Sequence, residues 1–473
     1  LLTSGLLYSD RIDFQAFGYK NCYFMSTLRQ HNRSTAALKV RDIRLLIGAV
    51  GLFSFGSRAL AVIIGFQIWK ITHSKAALGW LGLIEAIPAI TIAPFGGYIA
   101  DHFNRRWILI ITRSVSCLCA FAMAWLSFGA TSSAVTLGGL YSMIFLAGVA
   151  RGFADPAGTA FEAQVVPKHL TVNAASWISS TWILSSVAGP ALSGFIFAAI
   201  GASKTYAIIG VLFFLALICM YRIAPKMQAR PEKEEKVIQS IVTGWRFVRH
   251  NGILLPSMAL DLFAVFFGGA MALLPVYADD ILKVGAQGLG LLNAAPSLGA
   301  LLITLAATRK PPIAQAGKNL LWTIAGFGLT ILVFAWSRSF LLSMAALFFS
   351  GVFDGISMII RRSIIRLMSP DDMRGRIASV NGIFICASNE LGAFESGMLA
   401  AWIGTTACVA VGGTMTLVVV GVTALIGKQL RKLRFDPHTM ERLNAPKVQP
   451  LQEAESILQT MDPLDSMERP VEE

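Results

Sequence analysis

Charge is scarce in this chain. Only 14% of its 473 residues are Asp, Glu, Lys or Arg, against about a quarter in a soluble globular protein. That deficit excludes an ordinary water-soluble domain, which needs charge to cover its surface. Cysteine is also sparse: five of the six residues (Cys117, Cys119, Cys219, Cys386 and Cys408) fall inside apolar runs and read as small core residues, which excludes a disulfide framework. The six histidines (His31, His73, His102, His169, His250 and His438) lie at segment ends or in loops, without metal-ligand spacing, so no metal site is expected. There is no Walker A lysine loop, which excludes ATP hydrolysis by this chain. No Ser/His/Asp set stands out, so no enzyme activity or cofactor is expected. Ahead of the first methionine, Met25, there is no long apolar run and hence no secretory signal. Residues 1–40 are expected to be a disordered extension or translated upstream sequence.

Apolar residues are plentiful, at 55% of the chain, with a mean hydropathy of +0.62. They fall into twelve runs long enough to cross a bilayer as helices: about 43–70, 77–100, 106–129, 134–154, 173–200, 203–222, 252–278, 285–308, 318–337, 340–360, 376–403 and 405–428. The expected fold is therefore an all-α membrane protein. Residues 41–222 and 252–430 would form two six-helix bundles. A charged linker, 223–251, contains Arg230-Pro231-Glu232-Lys233-Glu234-Glu235-Lys236 and is too polar to span. A tail, 431–473, has several acids and prolines and is expected to be disordered or only locally helical.

The net charge of +13 would suit nucleic acid, but the basic residues sit between apolar runs, as in loops lying against anionic lipid. The expected partner is the bilayer, with no nucleic acid. One set of loops carries Arg41, Arg44, Arg105, Arg106, Arg309, Lys310, Arg361, Arg362, Arg366, Arg374, Arg376 and Lys428 to Arg434. The other set carries little beyond Lys75, Lys204, Lys283 and Arg338. The positive-inside rule places the arginine-rich set, the linker and both termini in the cytoplasm.

The chain also repeats itself. Leu81-Gly82-Leu83-Ile84-Glu85-Ala86-Ile87-Pro88 returns as Leu289-Gly290-Leu291-Leu292-Asn293-Ala294-Ala295-Pro296. Gly148-Val149-x-x-Gly152 returns as Gly351-Val352-x-x-Gly355, at a shift that also carries Gly189, Gly194 and Gly201 onto Gly392, Gly397 and Gly404. Two homologous halves in one orientation point to a transporter with its site between them. The Gly-x-x-x-Gly pairs are expected to serve close helix packing.

Between the second and third runs, Gly97-Tyr98-Ile99-Ala100-Asp101-His102-Phe103-Asn104-Arg105-Arg106 resembles the signature loop of the major facilitator superfamily. His102 replaces a basic residue of that pattern. Asn104 replaces a glycine and is read as fitting a tight, left-handed turn. Pro370-Asp371-Asp372-Met373-Arg374-Gly375-Arg376-Ile377-Ala378-Ser379 and Ala188-Gly189-Pro190-Ala191-Leu192-Ser193-Gly194 are similar to its enterobactin-exporter-like, or transmembrane secretion effector, branch. The resemblance covers roughly residues 40–430 and implies proton-driven export without naming the cargo. It also implies a conformational latch in which Asp101, following Gly97, meets the start of the eleventh span at Gly375 and Arg376, while Arg105 or Arg106 pairs with Asp155. The corresponding loop of the second half, around Arg309-Lys310-Pro311-Pro312, has lost the pattern.

Ionisable groups inside a membrane are costly and usually face a cavity or a partner. The candidates here are Arg58, Glu85, Arg151, Asp261, Asp354, Glu390 and Glu395. The superfamily resemblance implies that spans one, four, seven and ten line a central cavity. Arg58 and Arg151 would then form a positive wall facing Asp261 and Asp354, with Arg58 and Asp261 the deeper of each pair. Glu85 is matched in the repeat by the neutral Asn293. Glu390 and Glu395 point about 140° apart on a helix, so one of them is expected to reach the cavity. The resulting expectation is a monomeric, multi-pass transporter of the bacterial plasma membrane that uses the proton gradient to export a siderophore-like or drug-like amphipathic molecule. A lipid or lysolipid translocator, an importer of the same fold, and a non-transporting receptor or scaffold remain alternatives.

Overall fold

The computed structural model describes residues 35–129, 132–225, 237–309, 314–370 and 373–435, and omits the side chains of 93, 94 and 237–240. Most of the predicted extension, the charged run of the linker, the Lys310-Pro311-Pro312 loop, Asp371-Asp372 and the tail beyond 435 lie outside the described residues.

Eleven described segments are long and apolar enough to cross a membrane. One of them, Thr171–Arg222, turns at Gly201, whose φ of 79° and ψ of 177° break the helix. Only glycine adopts that conformation without strain, so the chain reverses there with no polar loop. The segment is thus two spans, giving twelve. They are α1 (Arg41–Thr72), α2 (Lys75–His102), α3 (Arg105–Leu126), α4 (Ser133–Val165), α5 (171–200), α6 (202–222), α7 (Leu254–Ile281), α8 (Gly285–Ala307), α9 (Ala316–Trp336), α10 (Phe340–Met368), α11 (Arg374–Ile403) and α12 (Thr405–Ile426). Gly404, the repeat mate of Gly201, turns α11 into α12 in the same way at φ 90°. A separate linker helix, Val237–His250, precedes α7. The short helix Ala36–Lys39 is docked on α5, where the Asn173 side chain accepts from the Ala37 N–H at 3.1 Å.

Repeated sequence makes repeated packing. A Cβ on Gly148 or Gly152 of α4 would collide with Glu85, Pro88 and Ile92 of α2. A Cβ on Gly351 or Gly355 of α10 would collide with Pro296, Ala300 and Ile303 of α8. Each Gly-x-x-x-Gly therefore holds the repeated Leu-Gly-Leu helix of its own half. α7 departs from its mate α1: after Phe267 it passes through Gly268-Gly269, a 3-10 turn, Pro275 and a π-turn at Tyr277–Ile281. The glycine pair and the proline account for that break.

The two ends of the bundle are packed differently. At the end away from the arginines, one apolar core runs through both halves and includes Ile63, Ile68 and Trp69 with Leu273, Tyr277 and Leu289. At the arginine-rich end there are two separate cores, one around Leu46, Leu109, Phe161 and Met220 and the other around Met258, Leu320, Ile360 and Ile377. The halves are thus joined at one face and independently packed at the other. The two-bundle structure is open toward its arginine-rich face.

Candidate functional site

The helices run further than the apolar runs, and this moves the charges. α4 continues to Val165 and α10 to Met368. Arg151 and Asp354, expected near a membrane face, therefore lie close to helix mid-length. Arg151 donates to Glu85 of α2 at 2.9 Å and reaches Asp155, one turn along, at 3.5 Å. Its guanidinium also lies 3.9 Å from Glu390 of α11, across the boundary between the halves. The side chains of Arg151 and Glu85 are 45% and 38% exposed and that of Glu390 is 20% exposed, so the cluster borders the open space between the bundles. Gly82 lets α2 approach here, since a Cβ on it would press on Ala393 and the Glu390 carbonyl.

The expected wall-to-wall pairing is not what the geometry brings together. Asp261 and Asp354 turn inward to one cation within their own half. Asp261 forms a short ion pair with Arg361 of α10, and Asp354 lies 3.9 Å from the same guanidinium. Asp261 and Arg361 are almost fully buried, and Ser357 accepts from the Arg361 Nε. Arg58 is exposed on α1 and stacks over the Trp182 ring at 4.7 Å. Of the α11 pair, Glu390 is the one that reaches the other half. Glu395 is hydrogen-bonded to Ser396 and lines a separate cavity of about 450 Å³ with Phe266, Phe394 and Trp402.

In the signature loop, Arg105 holds Asp101 at 3.3 Å and donates to the carbonyls of Ala100 and Ala160. Arg106 donates to the Tyr221 carbonyl. Both arginines thus brace the loop against α4 and α6 of their own half, and the arginine that Asp155 meets is Arg151. Asn104 is extended at φ −62° and caps α3 by accepting from the Arg106 N–H at 3.1 Å. It is a cap and not a left-handed turn. Gly97 and Gly375 face open space.

Three residues escaped sequence reasoning. Arg361 follows directly on an apolar run and was counted with the loops. Arg113 is a lone charge inside the third run, and that signal was available; its guanidinium lies over the Phe53 ring at 3.2 Å, with Asp155 and Glu162 as acidic neighbours. Asp279, in the π-turn of α7, accepts from Lys70 at 2.6 Å and from the Trp69 indole at 3.2 Å. Nothing in the sequence pairs it with α1. This contact clasps the halves at the closed face.

With twelve helices, a parallel repeat and a cross-half charge cluster in place, the comparisons decide the family. A transmembrane secretion effector profile matches residues 32–458. The chain belongs to the transmembrane secretion effector family. The enterobactin exporter EntS of Shigella flexneri is 24% identical over 416 residues, covering 87% of this chain and 96% of the relative. EntS of Escherichia coli strain SMS-3-5 is 23% identical over 419 residues, covering 88% and 97%. Among solved structures, a POT family transporter in complex with 5-aminolevulinic acid superposes at a TM-score of 0.65 with 12% identity, covering 82% of this chain and 96% of that one. A D-xylose-proton symporter superposes at 0.64 with 15% identity, covering 83% and 99%. Transmembrane secretion effectors are multi-pass transporters of the major facilitator fold and not enzymes.

In this member of the family, the Asp279 clasp is open to direct test. Asp279→Asn removes the carboxylate that ties Lys70 and Trp69 of α1 to α7, so the closed face should part more often. Spin labels at His73→Cys and Lys283→Cys should report a longer, broader distance distribution than in the parent. An unchanged distribution would show that the apolar core alone keeps this face shut.

Proposed function

We propose that this transporter exports a small amphipathic organic molecule, siderophore-like in chemistry, from the bacterial cytoplasm across the plasma membrane in exchange for protons. The arginine-rich face and both termini lie in the cytoplasm, following the positive-inside rule, and the protein works as a monomer. The similarity to enterobactin exporters supports the cargo class and direction.

The observation that carries the mechanism is the Arg151 guanidinium, held by Glu85 in its own half and within 3.9 Å of Glu390 in the other. One cation shared by two carboxylates on opposite halves ties the state of a proton to the relation between the halves. A proton on Glu390 removes its claim on Arg151. The halves are then freer to separate at this depth, and the cluster loses one negative charge. Cargo enters beside Arg58 and Trp182 on the exposed cavity wall, where an aromatic face and a cation suit an aromatic, electron-rich solute. The Asp261–Arg361–Asp354 set holds the second bundle rigid and is a second candidate for proton uptake. The Asp101 loop, together with Arg105, Arg106, Gly375 and Arg376, serves as the latch that engages when the arginine-rich face closes.

Everted vesicles test this reading. An inwardly acidic gradient should drive accumulation of a catecholate siderophore, and a proton ionophore should collapse it. Accumulation that is indifferent to the ionophore would overturn the coupling, and none for any amphipathic solute would overturn the cargo class.

A further inference from the structure

We infer that the linker helix and the start of α11 form a headgroup site for an anionic phospholipid in the leaflet on the arginine-rich face. The depth assigned to this face rests on the orientation proposed above; the binding chemistry does not.

The helix Val237–His250 has a fixed face and a free one. Its fixed face is pressed onto α11: Val248 is fully buried, and a Cβ on Gly244 would fall on the backbone of Arg376. One edge of Trp245 packs beside Phe384 of α11, with ring centroids 5.9 Å apart and the planes tilted by 37°. The free face mixes two chemistries. Val242 and Trp245 are 49% and 40% exposed, and Arg246, Arg249 and His250 are exposed beside them. Positions 242, 245, 246 and 249 share one side of a helix, so the apolar groups and the cations face the same way.

Beside that face lies a cavity of about 410 Å³, lined by Thr243, Arg246, Phe247, His250, Asn251 and Met373. Its floor is anchored, because the Asn251 side chain is occupied in capping α7, accepting from the N–H groups of Ile253 and Leu254 at 3.0 Å each. The cavity therefore sits one turn before the first apolar residues of a span, at headgroup depth. Among the described residues no carboxylate lies within ion-pair distance of Arg246 or Arg249. These cations are in position to meet an anion from outside the chain.

A water-soluble anion has no use for exposed valine and tryptophan next to its cations. A phospholipid uses both: its phosphate accepts from the Arg246 guanidinium, and its acyl chains lie along Val242 and Trp245. Tryptophan at the interface and clustered arginine on the cytoplasmic side are what a negatively charged leaflet favours.

The test is lipid retention by the purified full-length protein in detergent, read by native mass spectrometry, which needs neither cargo, gradient nor orientation. Failure here therefore leaves the exporter reading untouched, and failure of the exporter reading leaves this one standing. The parent should retain phosphatidylglycerol in preference to phosphatidylcholine. The Arg246→Gln/Arg249→Gln double variant should lose that preference by roughly 30-fold, or about 2 kcal/mol, at about 1 kcal/mol per cation. Arg246→Lys/Arg249→Lys, which keeps the charge, should retain most of it and guards against a folding effect. Equal retention by the parent and the glutamine variant would overturn the proposal. Displacement of the lipid by soluble glycerol phosphate at similar concentration would also overturn it, because the occupant would then be a free anion.

Discussion

Glu390→Gln should leave cargo exchange between equal pools intact while abolishing accumulation against a gradient. Glutamine keeps the shape of the side chain but can neither lose nor carry a proton. Arg151 would keep its 2.9 Å partner, Glu85, within the first half and lose its anionic neighbour in the second. The carrier would still bind and rock, but no proton would bias it. For a one-to-one exchanger, one unit of pH gradient supports about a tenfold cargo gradient, equivalent to about 1.4 kcal/mol. The parent should approach that ratio in proteoliposomes, and the variant should stay near unity. Glu85→Gln, which removes the partner in the same half, should weaken coupling by less. Full accumulation by Glu390→Gln would remove Glu390 from the mechanism and shift attention to Asp261.

Arg361→Met should be the most destabilising single substitution in the second half. Arg361 and Asp261 are 7% and 6% exposed, and Asp354 leans on the same guanidinium. Removing the cation leaves Asp261 buried without its partner, a change that costs about 3–5 kcal/mol where a buried pair is broken from one side. Fluorescence-detected size-exclusion chromatography after heating should show a large drop in the surviving fraction. The double variant Arg361→Met/Asp261→Asn should recover most of the loss, because the unpaired charge is then gone. If the single variant survives heating as the parent does, the buried pair is not what holds α7 to α10.

The architecture was legible because membrane helices advertise themselves by length and apolarity, and because the repeat gave two views of the same bundle. The Gly-x-x-x-Gly pairs were read correctly as packing, and each lies against the helix repeated with it. The charge partners were not legible. Hydropathy marks where an apolar run stops, but a helix continues past that point as long as its backbone remains bonded. Arg361 therefore reads as a loop residue although it is buried immediately beyond the run, and Arg151 reads as shallow. Periodicity gives a face on one helix and says nothing of which neighbour that face meets, so neither Asp279 with Lys70 nor Asp261 with Arg361 was visible. The turn at Gly201 shows the opposite case: a single glycine replaced a loop, and its equivalence to Gly404 marked it.

The mid-depth cluster also has an electrical consequence. One guanidinium with Glu85, Asp155 and Glu390 all ionised sums to two negative charges, and to one when Glu390 carries a proton. Membrane voltage drops mainly across whichever side of the cluster is sealed. Under the proposed coupling, the fully ionised cluster carries two charges through the field when the sealed side changes, and the cluster with Glu390 protonated carries one. At about 2.3 kcal/mol per charge per 100 mV, the two journeys of a transport cycle respond differently to voltage. Lys70 and Asp279, parting as a neutral pair at the closed face, add nothing to that difference. In the proposed cycle the resting potential of the cell would therefore act about twice as strongly on the leg in which the cluster is fully ionised as on the other.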